Sequence, residues 1–148
     1  MTPRCHSRTW RKHWKRYALR RLIEEIRSAG MKSVYYFCGD PAGKWDLLLS
    51  LGMDAIGLEE GKKDFRNDIE DIVERVAGRC VVLGNLDAIG VLQNGDEKSL
   101  REAIGRQVAA ARRNRSRFIM SLGSPPTPET PVERVRRYCD LARELGAA

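Results

Sequence analysis

Residues 80–87 read Cys-Val-Val-Leu-Gly-Asn-Leu-Asp. A continuous apolar run gives way to a glycine and then to two polar side chains around a leucine. So short and unbroken a run reads as a strand buried on both faces, as in a parallel sheet. The same unit recurs on either side. Upstream, Ser33-Val-Tyr-Tyr-Phe-Cys38 ends in Gly39-Asp40-Pro41, and Ala55-Ile-Gly-Leu58 ends in Glu59-Glu60. Downstream, Phe118-Ile-Met120 ends in Ser121-Leu-Gly-Ser124-Pro-Pro.

Helical periodicity fills the gaps between these runs. Residues 42–51 carry Trp45, Leu48 and Leu49 on one face and close at Gly52. Ile69, Ile72, Val73 and Val76 mark a helix before Gly78, and Leu100, Ala103, Ile104, Val108 and Ala111 a longer one after Gly95-Asp96. The last helix opens on a capping box, with Thr130 as N-cap, Pro131 at the first helical position and Glu133 three residues after the cap. Its buried face is expected to be Val132, Val135, Cys139, Ala142 and Leu145. A leading helix over 9–29, with Thr9 as N-cap, places Trp10, Trp14, Tyr17, Leu22 and Ile26 on one stripe and stops at Gly30. Four strand–helix units after one helix predict an α/β fold, a parallel sheet covered by helices.

The chain has 148 residues, 42% hydrophobic and 32% charged, the composition of one soluble globular domain. It holds no long apolar run and no apolar segment at the start, so neither a transmembrane helix nor a secretory signal is expected. The nine Lys/Arg against two Glu in residues 1–30 account for the whole net charge of +7, and the body is electrically balanced. The arginines of this segment alternate with Trp10, Trp14 and Tyr17, a pattern open to RNA or an acidic membrane. The preferred reading is a helix whose aromatic face packs inward and whose basic face is solvated. Neither membrane nor nucleic acid is expected as a partner. Cys5, Cys38, Cys80 and Cys139 lie far apart and form no CxxC pair, which fits reduced thiols in a cytoplasmic protein. Both histidines, His6 and His13, sit in the basic segment, so the body lacks the commonest general base.

In a parallel α/β architecture ligands bind at the C-terminal strand ends. The candidate site residues are therefore Cys38, Asp40, Glu59, Glu60, Asn85, Asp87, Ser121 and Ser124. No glycine-rich nucleotide cradle is present. Asn85 and Asp87 either hold a polar ligand or shape the turn and cap the next helix. Glu59 and Glu60 either serve a metal or a proton transfer, or pair with Lys62 and Lys63 at the surface. Cys38 is a reactive thiolate or a small buried hydrophobe. Residues 123–131 read as a rigid loop over the strand ends or as simple helix initiation.

The order of turns carries a resemblance. Cys38-Gly39 after a strand, then Gly84-Asn85-Leu86-Asp87, then Phe118-Ile-Met-Ser-Leu-Gly123 with Thr127-Pro128 before a helix, resembles the C-terminal half of the uroporphyrinogen decarboxylase superfamily. The resemblance implies a partial (βα)8 TIM barrel of about four C-terminal βα units preceded by one helix. Residues 1–30 would be a basic amphipathic helix leading into the barrel, and 31–148 its C-terminal half. A half barrel exposes two strand edges, so the resemblance also implies a C-terminal fragment, completed by a missing N-terminal half or a homodimer partner.

The family reaction is decarboxylation of a uroporphyrinogen-type tetrapyrrole. The resemblance thus implies a small anionic substrate and no cofactor, with Cys38, Asp40, Glu59, Asn85, Asp87 and Ser124 lining the pocket. The first-half arginines and aspartate would do the chemistry, so this chain alone is expected to be inactive. The last turn reads Gly123-Ser124 where the decarboxylases carry a histidine. The alternative within the superfamily is a corrinoid-linked methyltransferase. There Cys38 matches a zinc-binding cysteine, Tyr36 replaces a histidine, and Ser121 or Ser124 replaces a second cysteine. Zinc at Cys38 and Glu60 would have two protein ligands where about three are needed, so no metal is expected. A non-catalytic binding or assembly module is the alternative from another class.

Overall fold

The computed structural model describes residues 8–61 and 65–147, with side chains described from residue 17 onward. Every apolar run of the sequence becomes a strand: β1 (Val34–Phe37), β2 (Ala55–Leu58), β3 (Val81–Leu83) and β4 (Phe118–Ile119). Between and around them lie α1 (Arg8–Ser28), α2 (Trp45–Leu49), α3 (Ile69–Val76), α4 (Glu97–Arg113) and α5 (Val132–Ala147). The four strands form one parallel sheet in the order β1-β2-β3-β4. Sequential order with a helix in every crossover is the arrangement of half a (βα)8 barrel, and the partial-barrel expectation holds.

The register puts Tyr36, Gly57, Leu83 and Ile119 side by side on one face. The opposite face, with Phe37, Ile56, Leu58 and Val82, packs on the helices. One core lies there among Leu48, Ile56, Leu58, Ile72, Val76 and Val82, and a second joins Leu92, Leu100 and Ile104 to Leu141. Polar side chains fix the strand starts. Buried Asn114 accepts from Gly78 N at 2.8 Å and donates to Cys80 O at 3.2 Å and Arg117 O at 2.6 Å. One amide thus joins the entries to β3 and β4.

Four sequence expectations are corrected. Only β2 is buried along its whole length, whereas β1 alternates exposed and half-buried residues. The reason is position: β2 has a strand on each side and the Tyr36 ring across Gly57, and among the described residues no layer covers the helix-free face of β1 and β4. On α1, Ile23 is buried and Leu19 packs beside it, while Tyr17 and Leu22 are 61% and 56% exposed. The expected stripe was rotated, because the helix meets the sheet along its 19–23 line. The side chains of Thr9, Trp10, His13 and Trp14, and Lys62 and Lys63, lie outside the described residues.

On α5 the expected Val135, Cys139, Ala142 and Leu145 pack against the second core, but its most buried positions are Tyr138 and Leu141, and Val132 is exposed. The expected N-cap, Thr130, turns its hydroxyl to Gln93 Oε1 at 3.2 Å, and Thr127 donates to the same oxygen at 2.6 Å. Gln93 belongs to a π-helical turn over Ala88–Gln93 that periodicity did not reveal. Arg134 closes the same junction by donating to Leu92 O at 2.9 Å and Gly95 O at 2.7 Å. The proline-rich loop is thereby anchored over the end of β3.

Candidate site at the C-terminal strand ends

All the candidate residues sit where the strands end, but their side chains do different things. Asp87 accepts from Ile89 N at 2.9 Å and Gly90 N at 2.8 Å, so it caps the π-helical turn. Asp40 accepts from Ala42 N at 2.8 Å and shapes its own turn. Asn85 is buried and donates to Asn67 O at 2.6 Å. Asn67 in turn donates to Glu59 O at 2.9 Å. These two amides stitch the β2 and β3 turns together. They border a polar cavity of about 180 Å³ that Glu60, Asp87, Arg106 and Gln107 also line.

The second grouping lies on the helix-free face. Glu60 is only 6% exposed, and its Oε2 accepts from Ser124 Oγ at 2.8 Å. A side chain at Gly123 would run into Glu60, so glycine is what lets the last turn press on the buried carboxylate. The Tyr36 hydroxyl donates to Gly123 O from the far side of the sheet. To get there its ring crosses β2 at Gly57, where a Cβ would lie 2.7 Å from Tyr36 Cδ2. Burial pushes the Tyr36 phenol up, and Cys38, Glu60 and Glu59 add to the shift by disfavouring a phenolate. The hydroxyl therefore stays a donor at neutral pH.

Glu59 points elsewhere, its Oε1 accepting from Gly39 N at 2.6 Å. Neighbouring residues at a strand end face opposite ways, so the Glu59-Glu60 pair is divided between two tasks. Cys38 is an exposed free thiol. The Ser121 hydroxyl makes a 3.3 Å contact with Leu122 O, and its carbonyl accepts from Leu86 N at 3.2 Å. Among the described residues no three of His, Cys, Asp and Glu converge as metal ligands.

The structure thus brings Glu60 and Ser124 into contact, joins Asn85 to the Glu59 turn, and leaves Asp40 and Asp87 holding their own loops. Tyr36 and Asn67 were not singled out as site residues. A signal for Tyr36 was present: a glycine inside an otherwise apolar strand marks a close approach, and the residue crossing Gly57 comes from the adjacent strand at the same level. Asn67 had no such signal, because its partners, the Glu59 carbonyl in its own loop and the Asn85 side chain from the β3 turn, follow no sequence spacing. Among the described residues Glu59, Glu60 and Asp87 bring carboxylates to the mouth, and Arg106 of α4 lines the cavity beside them.

Comparison with known proteins agrees with this geometry. The family model described as uroporphyrinogen decarboxylase (URO-D) matches residues 6–145. A uroporphyrinogen decarboxylase of Solibacter usitatus is 31% identical over 126 residues, covering 85% of this chain and 34% of the relative. One from Roseiflexus sp. is 33% identical over 114 residues, covering 77% of this chain and 30% of the relative. The chain spans about a third of the length of the curated relatives it matches. Among solved structures, a methyltransferase from Methanosarcina mazei superposes with a TM-score of 0.71 at 16% identity. That match covers 87% of this chain and 35% of the methyltransferase, and it speaks for the fold alone.

Proposed function

The chain belongs to the uroporphyrinogen decarboxylase family, and from that premise we propose that its strand ends form part of a pocket for an anionic tetrapyrrole that undergoes decarboxylation. The observation that carries this reading is the Tyr36–Gly123 and Ser124–Glu60 pair of contacts. Together they hold the last turn across the sheet and shape a mouth on the face where a barrel interior would lie.

In the proposed reaction an acetate side chain of the tetrapyrrole loses carbon dioxide. A proton then takes the vacated position and leaves a methyl group. The step requires a proton donor to the pyrrole ring and positive charge to stabilise the electron pair left behind. The carboxylates of Glu59, Glu60 and Asp87 do not provide that charge. We assign it to a further polypeptide segment that closes the open sheet, and we give Ser124, Glu60 and Tyr36 the task of positioning the last turn. Asn85 and Asp87 support the pocket wall.

The test is a fluorescence titration of the chain with uroporphyrin at low and high salt. Saturable binding that persists at high salt and weakens with Glu60→Ala supports the reading. Absence of saturable binding, or binding indifferent to Glu60→Ala, overturns it. The second reading, methyl transfer with a corrinoid protein, draws on the exposed Cys38 thiol beside the mouth. Zinc held at about one ion per chain and lost with Cys38→Ser would favour it.

A further inference from the structure

Buried polar side chains gather on the helical side of the sheet. Glu60, Asn67, Asn85 and Gln107 are each no more than 7% exposed, and all four stand on the wall of the cavity of about 180 Å³ behind the β2 and β3 turns. Helical elements supply the rest of that wall: Ile69 of α3, Val91 of the π-helical turn, and Ala103 and Arg106 of α4. A single water needs about 10–15 Å³ of such space, so the cavity has room for a small molecule.

Two of these side chains keep an unused acceptor. Asn67 donates through Nδ2 to Glu59 O at 2.9 Å, which fixes the way its amide points. Its Oδ1 has no hydrogen-bond partner among the described residues, and neither has Gln107 Oε1. Gln107 follows Leu100 and Ile104 and precedes Ala110 on the buried stripe of α4. Packing alone would be served there by a leucine. The amide instead lies against Gly84, where a Cβ would run into its oxygen. A buried acceptor that stays unmade costs stability, and two on one cavity wall are matched by a ligand that brings donors.

The wall also selects the kind of donor. Among the described residues it carries three carboxylates, Glu60, Asp68 and Asp87, against the one guanidinium of Arg106. That guanidinium is held on Glu70 by hydrogen bonds of 2.8 and 2.9 Å. Such a wall disfavours an anion. A bare divalent ion needs about six close oxygens, whereas no three of His, Cys, Asp and Glu converge as metal ligands among the described residues. An ammonium group has three N–H donors and no acceptor, which suits dispersed acceptors. Ile69, Leu86, Val91 and Ala103 add an apolar stretch beside them.

We propose that this cavity binds a primary alkylammonium, with Asn67 Oδ1 and Gln107 Oε1 as its acceptors and a short alkyl chain along Ile69, Leu86, Val91 and Ala103. The inference is independent of the tetrapyrrole reading. Its two acceptors have no role there, and the helical side of the sheet is the face away from the proposed mouth.

The experiment titrates the whole chain with n-butylammonium and follows the side-chain amide NMR signals of Asn67 and Gln107. The controls, at matched ionic strength, are n-butanol, tetramethylammonium and potassium. Saturable shifts of both amides are expected with n-butylammonium, about tenfold tighter than with any control. Gln107→Leu keeps the packing and removes one acceptor, while Ala103→Leu crowds the alkyl path and leaves both. Each should weaken binding about tenfold, read at Asn67, and circular dichroism confirms that each variant is folded. Glu102→Gln, on the exposed face of α4, should leave binding unchanged. Equal binding of n-butanol would overturn the ammonium assignment, and equal binding of tetramethylammonium or potassium would overturn the hydrogen-bonded one. No saturable binding, or binding indifferent to Gln107→Leu and Ala103→Leu, would overturn the site. Binding seen only in Lys62→Ala/Lys63→Ala would assign the cavity to the chain's own lysines and likewise overturn the proposal.

Discussion

β1 and β2 are neighbouring parallel strands of four residues, paired Val34 to Ala55 through Phe37 to Leu58. All of β2 is buried, while β1 exposes every second residue. Both strands are made mainly of apolar or aromatic side chains, so composition alone does not separate them. The difference is one of neighbours: β2 has a strand on each side and the Tyr36 ring across Gly57, whereas among the described residues β1 has one strand and no layer over its free face. Burial in a parallel sheet is thus a property of place, and β1 and β4 each have a strand on one side only.

The largest effect should come from the centre. Leu58→Ala empties a fully buried site and is expected to cost about 2–5 kcal/mol, measured by urea unfolding. Val34→Ala on the edge should cost no more than about 0.5 kcal/mol. Similar losses at both sites would break the contrast. Asn114→Ala tests whether an edge strand can be held by polar rather than apolar contacts. It leaves Gly78 N and the carbonyls of Cys80 and Arg117 without that amide and should cost about 3 kcal/mol. Hydrogen exchange should quicken at the starts of β3 and β4.

Gly57→Ala sharpens the comparison at the point where the two strands touch. The added methyl meets the Tyr36 ring and should cost about 1–3 kcal/mol. In Tyr36→Ala the same change should cost much less, so a double-mutant cycle returns a coupling. Additive losses would mean that the ring does not depend on that glycine.

The smallest expected effect lies at the N-terminal strand ends, at Asp54. Asp54 is held at about 2 by the hydrogen bonds from Ser33, with Lys32 adding to them. Because the folded value is depressed, its contribution is complete above about pH 4 and is lost as pH falls toward 2. Asp54→Asn should flatten that part of the acid-unfolding curve and leave stability at neutral pH little dependent on pH. An unchanged acid limb would refute the assignment.

Much of the fold was legible because each strand is a short apolar run ending in a turn signal. Ile69, Ile72, Val73 and Val76 announced α3 by spacing alone, and all four are buried. The misreadings share a cause. Tyr17, Leu22 and Val132 are apolar and helical in spacing, yet they stay exposed because nothing in the described structure covers that side of α1 or α5. Thr130 looked like a cap, but a glutamine from the π-helical turn competes for its hydroxyl. Of the site, Glu60 and Ser124 were legible as strand-end polar residues, but their contact was not. They lie far apart in sequence and meet only because β4 returns beside β3.

The sequence by itself determined the strand–helix alternation, the parallel sheet and the placing of polar residues at the strand ends, since these depend on local pattern and chain connectivity. Tertiary structure alone decided which of two adjacent glutamates is buried, and that Tyr36 would cross Gly57 to the last turn. Those outcomes depend on which faces and edges find neighbours, and no single segment carries that information.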